Sequence, residues 1–484
     1  MRTGTDYRRS LADGRRVIVD GAPVPDVASH PAFRGVVDTV AALYDEAADP
    51  ASGMTAVAPE TGREANKTFL TPRSRDALAD WRAAITRWAH VSRGFVGRSP
   101  DHVAGFLAGF ASAAETFDRD GRAFGANVRR HYERTLDGSL FTSYVIVPPQ
   151  VNRGTTAHGW DEELLQVGVL EERDGGIVVR GSQMLGTSAA VSDWLLVSCI
   201  KPLTPEDERY ANTFVLPIAT PGLHVYCRRP YAPAQPSMFD YPLSSRFDES
   251  DALVVFDDVF VPWEQVFLYR DPSGLQHQFF GTAAHVLGNA QAQIRLVVKL
   301  KFLLGLARRV AIVNGIERIP AVQDLLGELA SLAASVEGLV LAAEAACVPD
   351  AHGVARPNPR FLYGAMGAQA TLYPRVLAIL RELAGGGVIQ LPSSWRELVA
   401  PESRDHMARY LRSGDVDAEE RVKLFKLLWD AIGSEFAGRH HQYEMFYAGA
   451  PFVARGYAVR NYGYDEALAS ADEFLASYGL EDTP

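Results

Sequence analysis

GIVVRGSQMLGTSA (residues 176–189) and DWLLVSCI (193–200) decide how the rest of the chain is read. Both are short and rich in β-branched and aromatic residues, and Gly, Ser and Asp punctuate them, which is the signature of strands. NTFVLPI (212–218), GLHVYCR (222–228) and ALVVFDDVFVP (252–262) repeat the pattern. No helical stretch alternates with them, which argues against a doubly wound parallel sheet. No G-x-G-x-x-G follows a strand, and no G-x-x-x-x-G-K-[ST] occurs. Residues 146–270 therefore read as an antiparallel sheet or small β-barrel domain.

On either side the apolar spacing changes to three and four. GVVDTVAALYDEA (35–47), SRDALADWRAAITRWAHVSR (74–93), PDHVAGFLAGFASAAETF (100–117) and NVRRHYERTL (127–136) make 1–145 an N-terminal helical domain. Beyond the strands, four long helices are predicted over 289–315, 320–348, 364–386 and 418–449. The third carries a kink or break at Pro374, and a shorter helix covers 464–479. Short connections between long amphipathic helices make 271–484 a C-terminal four-helix bundle. The fold class is α+β. Helix, then β, then bundle is also the layout of acyl-CoA dehydrogenase-like flavoproteins, an analogy of architecture only.

Bulk properties narrow the function. Among 484 residues the net charge is −11, which opposes general nucleic-acid binding. Cys199, Cys227 and Cys347 are far apart, without disulfide or metal-ligand spacing. His440 and His441 point about 100° apart on a helix, so no metal site is expected. The N-terminus has no apolar run. The apolar helix around 292–315 is interrupted by Arg295, Lys299, Lys301, Arg308 and Arg309, so it is not a membrane span. A soluble, cytoplasmic chain is expected.

Five stretches hold residues that local structure does not fully explain. In GRSPDHVAGF (97–106), Ser99, Pro100 and Asp101 suit a helix start, and Val103, Phe106, Leu107 and Phe110 mark one buried face. Arg98 and His102 are left over. SYVIVPPQVNRGTT (143–156) is either a domain junction or a rigid polar loop offering Pro148, Gln150, Asn152 and Thr155 or Thr156 to a ligand. In RGSQMLGTSA (180–189), Gly186 and Thr187 form either a plain turn or an edge against a flat ring. Gly385–Gly387 is more glycine than a helix cap needs; plain capping and close approach by a pyrophosphate or a neighbouring subunit both account for it. FAGRHHQYEMFYAGAP (436–451) reads as core packing or a subunit interface.

Several motifs occur together and in order. They are RTGTDYRRSLADGRRVIVDGAPVPDVASHPAF (2–33), GRSPD (97–101), PQVNR (149–153), GIVVRGSQM (176–184), TPGLHVYCR (220–228), YPLSSRFDESDALVVFDDVFVPWEQVF (241–267) and GGGVIQLPSS (385–394). In these the chain resembles the 4-hydroxyphenylacetate 3-hydroxylase family from residue 2 to about 450. The resemblance implies the oxygenase component of a two-component monooxygenase, with the acyl-CoA dehydrogenase-like fold and a homotetramer. Reduced FAD from a separate reductase would react with O2 to give a C4a-hydroperoxide that hydroxylates a phenol. It implies an active-site role for Arg98 and a flavin contact for Thr187; Pro148, Gln150, Asn152, Gly386 and Gly387, singled out above from the residues, are taken as further cofactor-binding candidates.

Two positions depart from the family pattern. His102 stands where a tyrosine is usual, and Tyr144 where a histidine is usual. His102 is then either a base for the phenol, with Tyr144 donating to substrate or intermediate, or a residue that hydrogen-bonds backbone in a reshaped pocket. The substrate implied is a phenol other than 4-hydroxyphenylacetate: tyrosine-derived, carrier-bound or heteroaromatic. Two alternatives stay open, a flavin-dependent dehydrogenase or dehydratase of an acyl thioester and a catalytically altered flavin-binding protein. The iron–sulfur dehydratase branch would need clustered thiolates, which Cys199, Cys227 and Cys347 do not form.

Overall fold

Five helices open the chain in the computed structural model, which describes residues 1–233 and 237–479. They are α1 (Gly4–Ser10), α2 (Arg34–Ala48), α3 (Arg75–Val91), α4 (Pro100–Ser112) and α5 (Gly125–Gly138). Between them lie β1 (Val17–Val19), β2 (Ala22–Pro23) and the small hairpins β3 (Thr55–Val57)–β4 (Glu64–Asn66) and β5 (Asp118–Arg119)–β6 (Arg122–Ala123). Helix α4 differs from its predicted form. It buries every residue from Pro100 to Phe110 rather than one face, and Ser99 Oγ donates to the Asp101 carboxylate instead of capping the helix.

The middle segment contains β7 (Thr142–Val145), β8 (Gly168–Arg173), β9 (Gly176–Gln183), β10 (Trp194–Val197), β11 (Thr213–Pro217) and β12 (Leu223–Cys227). The short α6 (Ser244–Phe247), β13 (Ala252–Pro262) and β14 (Val266–Leu268) follow. The predicted strands form, but the barrel does not. One sheet runs β2-β1-β12-β13-β9-β8 and the other β14-β11-β10-β7. Nor is the arrangement wholly antiparallel, because β1 lies parallel to β12 and β7 parallel to β10. Both odd strands enter from the stretch expected to be helical. Local alternation cannot announce such a long-range partner.

The last third holds α7 (Pro272–Phe280), α8 (Ala284–Val313), α9 (Pro320–Ala345), the hairpin β15 (Val348–Pro349)–β16 (Ala355–Arg356) and α10 (Pro359–Ala384). Then come α11 (Arg404–Tyr410), α12 (Ala418–Ile432), α13 (Glu435–Phe446), α14 (Pro451–Asn461) and α15 (Tyr464–Leu475). Helix α10 runs unbroken through Pro374. The fourth predicted helix is instead divided at Gly433–Ser434, because the Ser434 side chain accepts from Ala437 N and starts α13 afresh. That restart aims α13 at α4. Helix α9, not 292–315, is long and apolar enough by length and composition to cross a membrane. Its Glu328, Glu337 and Glu344 nonetheless pair with Arg375, Lys301 and Arg82 of the same molecule.

One core joins α2, α3 and α4 to both sheets and the start of α8; a second fills the space among α8, α9, α10 and α12. Where α4 crosses α8, a Cβ on Gly288 would overlap the Phe106 ring, so glycine sets how closely the two helices approach. The expected middle and C-terminal domains run through 234–236 and 480–484, which lie outside the described residues.

Candidate active site

Helix α4 begins where three parts of the chain meet: the α4 start itself, β7, and α13. The structure brings Arg98, His102 and Tyr144 into direct contact. Arg98 Nη1 donates to His102 Nε2 at 2.8 Å. The His102 and Tyr144 rings lie 5.4 Å apart, and the Arg98 guanidinium stands 5.0 Å from the Tyr144 centroid. Tyr443 and Tyr447 of the 436–451 stretch complete the surround, at 5.3 and 5.8 Å from the same guanidinium. That stretch is therefore part of this site and more than packing. Gly97 allows it, since a Cβ there would overlap the Tyr443 hydroxyl. Phe106 and Phe279 extend the aromatic wall beyond Tyr144.

The Arg98 side chain is buried among these rings, and among the described residues no carboxylate meets its guanidinium nitrogens. Its partners are His102 and the Tyr447 carbonyl. Burial works against its charge, but Tyr144, Tyr443 and Glu249 outweigh it and hold the guanidinium above its ordinary pKa. A buried cation of this kind attracts an anionic or strongly dipolar oxygen. His102 goes the other way. Burial, then Arg98, pushes its pKa well below the usual imidazole value, so it is neutral at pH 7. Burial also raises the Tyr144 phenol, against the pull of Arg98.

Glu249 links this cluster to Thr187. Its Oε1 accepts from Arg98 N at 2.5 Å, and its Oε2 from Arg439 Nη1 at 2.8 Å. Arg439 then donates to Asp251 from Nη2 at 2.8 Å and Nε at 3.1 Å. The Thr187 hydroxyl donates to the same Asp251 at 2.6 Å, and Arg228 Nε at 3.0 Å. Burial opposes ionisation of Asp251, and Arg439 and Arg228 overcome it, so it stays a carboxylate. Ser143, next to Tyr144, donates to the Thr187 carbonyl at 2.6 Å. The turn that carries Thr187 is strained: Leu185 has φ +57° and Ser188 +63°.

The remaining predicted cofactor residues divide into two groups. Met184 N donates to Val147 O at 2.8 Å, so the chain past Pro148 and the turn past Leu185 leave the sheets side by side. Gln150 is exposed, its amide donating to Pro148 O, and Asn152 accepts from Gly154 N within the same exposed loop. Val151, Leu185 and Ile200 expose apolar side chains beside this strip, and Ser188 Oγ is buried without a partner among the described residues. Apolar cover beside strained backbone and an unused hydroxyl fit a flat heteroaromatic ring such as a flavin's. Gly386 and Gly387 sit in a single turn after α10 (Gly385–Val388). A Cβ on Gly387 would meet Phe425, and Arg421 lies next to it. Within one chain their neighbours are these residues of α12.

Sequence reasoning missed Glu249, Asp251, Gln291, Arg439 and Glu444. Behind the tyrosines, Glu444 accepts from both Nη atoms of Arg295 at 2.6 and 2.8 Å, from Lys299 Nζ at 2.9 Å and from Gln369 at 2.7 Å. A signal was present. Gln291, Arg295 and Lys299 recur every four residues along a helix that is buried around them, a polar stripe facing inward.

The chain matches the family description 4-hydroxyphenylacetate 3-hydroxylase N terminal over residues 3–268 and 4-hydroxyphenylacetate 3-hydroxylase C terminal over 275–476. It is 36% identical, over 92% of its length and 85% of the relative's, to the (3S)-3-amino-3-(3-chloro-4-hydroxyphenyl)propanoyl–peptidyl-carrier-protein monooxygenase of Streptomyces globisporus. It is 33% identical to the 4-hydroxyphenylacetate 3-monooxygenase oxygenase component of a Geobacillus species, over 96% of this chain and 94% of that one. A crystal structure of a 4-hydroxyphenylacetate 3-monooxygenase oxygenase component complexed with FAD and 4-hydroxyphenylacetate superimposes with a TM-score of 0.93. It has 32% identity and covers 99% of each chain. The fold is thus acyl-CoA dehydrogenase-like.

Proposed function

The chain belongs to the 4-hydroxyphenylacetate 3-hydroxylase family as the oxygenase component of a two-component, reduced-FAD-dependent aromatic monooxygenase, and on that premise we propose that Arg98, held by His102, and Tyr144 form the site for a phenol other than 4-hydroxyphenylacetate. The observation that carries this is the direct contact among the three, two of which depart from the family pattern. Pro148, Gln150, Asn152 and Thr187 would hold the FAD ring beside them. Reduced FAD, supplied by a separate flavin reductase, would bring the two electrons that let one atom of O2 enter the ring while the other leaves as water.

The residues of this chain prepare the substrate. Arg98 lies where a phenol oxygen would be drawn, and its charge lowers the cost of phenolate, the more nucleophilic form of the ring. Tyr144, Phe106 and Phe279 supply aromatic walls and keep water from the reacting carbon. His102, being neutral, fixes Arg98 and does not compete for the anion.

Three further assignments belong to this reading. The chain divides at about 145 and 270 into helical, β and bundle domains. It acts as a homotetramer: no residue of α15 is buried, and Leu468, Phe474 and Leu475 on it are exposed, as expected of a helix seated on another copy. Gly386 and Gly387 then serve the flavin of a neighbouring copy. Three unpaired cysteines support a cytoplasmic location.

The test supplies purified protein with reduced FAD, 18O2 and a panel of phenols: 4-hydroxyphenylacetate, free tyrosine derivatives and the same phenols thioesterified to a carrier protein. The expected result is labelled oxygen in one of the last two classes and little in the first. No label in any phenol overturns the proposal.

A further inference from the structure

Gln291 on α8 lies behind His102 and bonds to both sides of its own amide. His102 Nδ1 stands 3.0 Å from Gln291 Oε1. Gln291 Nε2 donates to Asp101 Oδ1 at 3.1 Å and to Ser99 Oγ at 3.3 Å. Those two partners fix which way the amide faces. Asp101 Oδ1 already accepts the Ser99 hydroxyl proton, so both oxygens can only accept from Gln291. The amide NH2 must therefore face them, and the carbonyl oxygen must face His102. A carbonyl oxygen accepts, so the proton sits on His102 Nδ1. On the opposite side of the ring, Arg98 Nη1 has only hydrogens to give, so Nε2 must offer its lone pair. All of these atoms are buried.

We propose that Gln291 is a positioning residue: it fixes His102 as the Nδ1–H tautomer and turns the Nε2 lone pair onto Arg98, so that His102 is a strut for the guanidinium rather than the base that takes the phenol proton. Both ring nitrogens are then occupied before substrate arrives. Among the described residues, the Tyr144 ring lies tilted against the imidazole and the Phe106 ring meets it edge-on. Arg295 adds positive charge from further along α8, which also disfavours protonation. The inference rests on the phenol-binding reading only for what Arg98 meets. The tautomer itself follows from the hydrogen-bond pattern.

The test uses the full-length, flavin-free chain labelled with 15N-histidine, with the His102 signals identified by their loss in His102→Asn. At pH 7 His102 should show a protonated Nδ1 and an unprotonated Nε2. In Gln291→Leu the Nδ1 proton loses its acceptor, a second ring state should appear, and 4-nitrophenol, followed by its absorbance, should bind about tenfold more weakly. Gln291→Glu keeps an acceptor toward Nδ1 but loses the donor to Asp101 Oδ1 and Ser99 Oγ, so the Nδ1 proton should persist while the thermal midpoint falls; loss of that proton in Gln291→Glu would count against the proposal. A proton on Nε2, or on both nitrogens, in the unsubstituted chain overturns the proposal. So does a Gln291→Leu chain with unchanged ring signals and binding. If the tautomer is as stated and the unsubstituted chain binds no 4-nitrophenol, it is the phenol reading that fails.

Discussion

Glu444→Gln should destabilise the protein far more than its neighbour Lys299→Met, although the two residues share one ion pair. Glu444 is wholly buried, and Arg295 and Lys299 overcome the cost of that burial and hold its pKa at about 2, against an ordinary 4.5. That difference corresponds to roughly 3 kcal/mol, in line with the ~3–5 kcal/mol lost when a buried pair is broken from one side. Its pKa is depressed, so this stability is present in full above pH 4.5 and fades as pH falls toward about 2. Lys299 sits on the losing side of the same arrangement. Burial outweighs its share of Glu444, Arg295 repels it, and its pKa falls from 10.5 to about 8. Its charge therefore costs stability below pH 8, and the cost fades as pH rises toward 10.5. Glu444 keeps both Arg295 bonds without it.

The assay is the thermal midpoint at pH 7. With roughly 2.1 cal/mol/K of unfolding entropy per residue, a loss of ~3 kcal/mol lowers the midpoint by about 3 °C if the whole chain unfolds as one. If the C-terminal bundle unfolds alone, the fall is about 7 °C. Lys299→Met should leave the midpoint unchanged or raise it. A shift below about 1 °C for Glu444→Gln, or an equal fall for both variants, would refute the reasoning.

Other outcomes follow from the same geometry. Arg98→Met should keep the fold and lower kcat/KM for the accepted phenol by about 100-fold, read by product formation with reduced FAD; a fall below tenfold would leave the guanidinium without its assigned role. His102→Tyr combined with Tyr144→His should raise hydroxylation of 4-hydroxyphenylacetate by about tenfold or more; no gain would show that other residues set the choice of phenol. Thr187→Val removes the bond to Asp251 and should weaken flavin binding about tenfold, measured by fluorescence titration. Asp101 is pushed up by burial to about 6 from 3.8, so its ionised form costs stability that is absent below pH 3.8 and complete above about pH 6. Asp101→Asn should therefore be no less stable than the parent at pH 7.5, and a lower midpoint there would count against that account.

The helices and most strands were legible because each announces itself locally. Residues 100–110 repeat apolar side chains at helical spacing, and 177–179 and 195–197 are β-branched or leucine. Sheet partition was not legible, because β1 and β7 pair with strands that come much later in the chain. Arg98 and His102 stand out as what a capped helix start leaves unexplained, whereas Tyr144 comes from motif resemblance; spacing alone gives no reason to join residue 144 to residue 98. Arg439 lay in a stretch read as packing because its partners Glu249 and Asp251 are nearly two hundred residues away. In α8, Arg295 and Lys299 read from sequence only as interruptions of an apolar run. Their burial opposite Glu444 depends on the break at Gly433–Ser434, which a continuous helical pattern hides.

The Arg439 bridge also bears on how the chain reaches its native state during synthesis. Asp251 and Glu249 precede Arg439 by 188 and 190 residues. At about 5–20 residues per second, that is roughly 10–40 s of translation. Throughout that interval Glu249 lacks the cation that pairs with it and Asp251 has only Arg228, beside the turn that will hold Thr187. The flavin-side surface should therefore stay open to solvent and to chaperones until α13 leaves the ribosome. A chain truncated before Ser434 should be captured by neither folding nor cofactor.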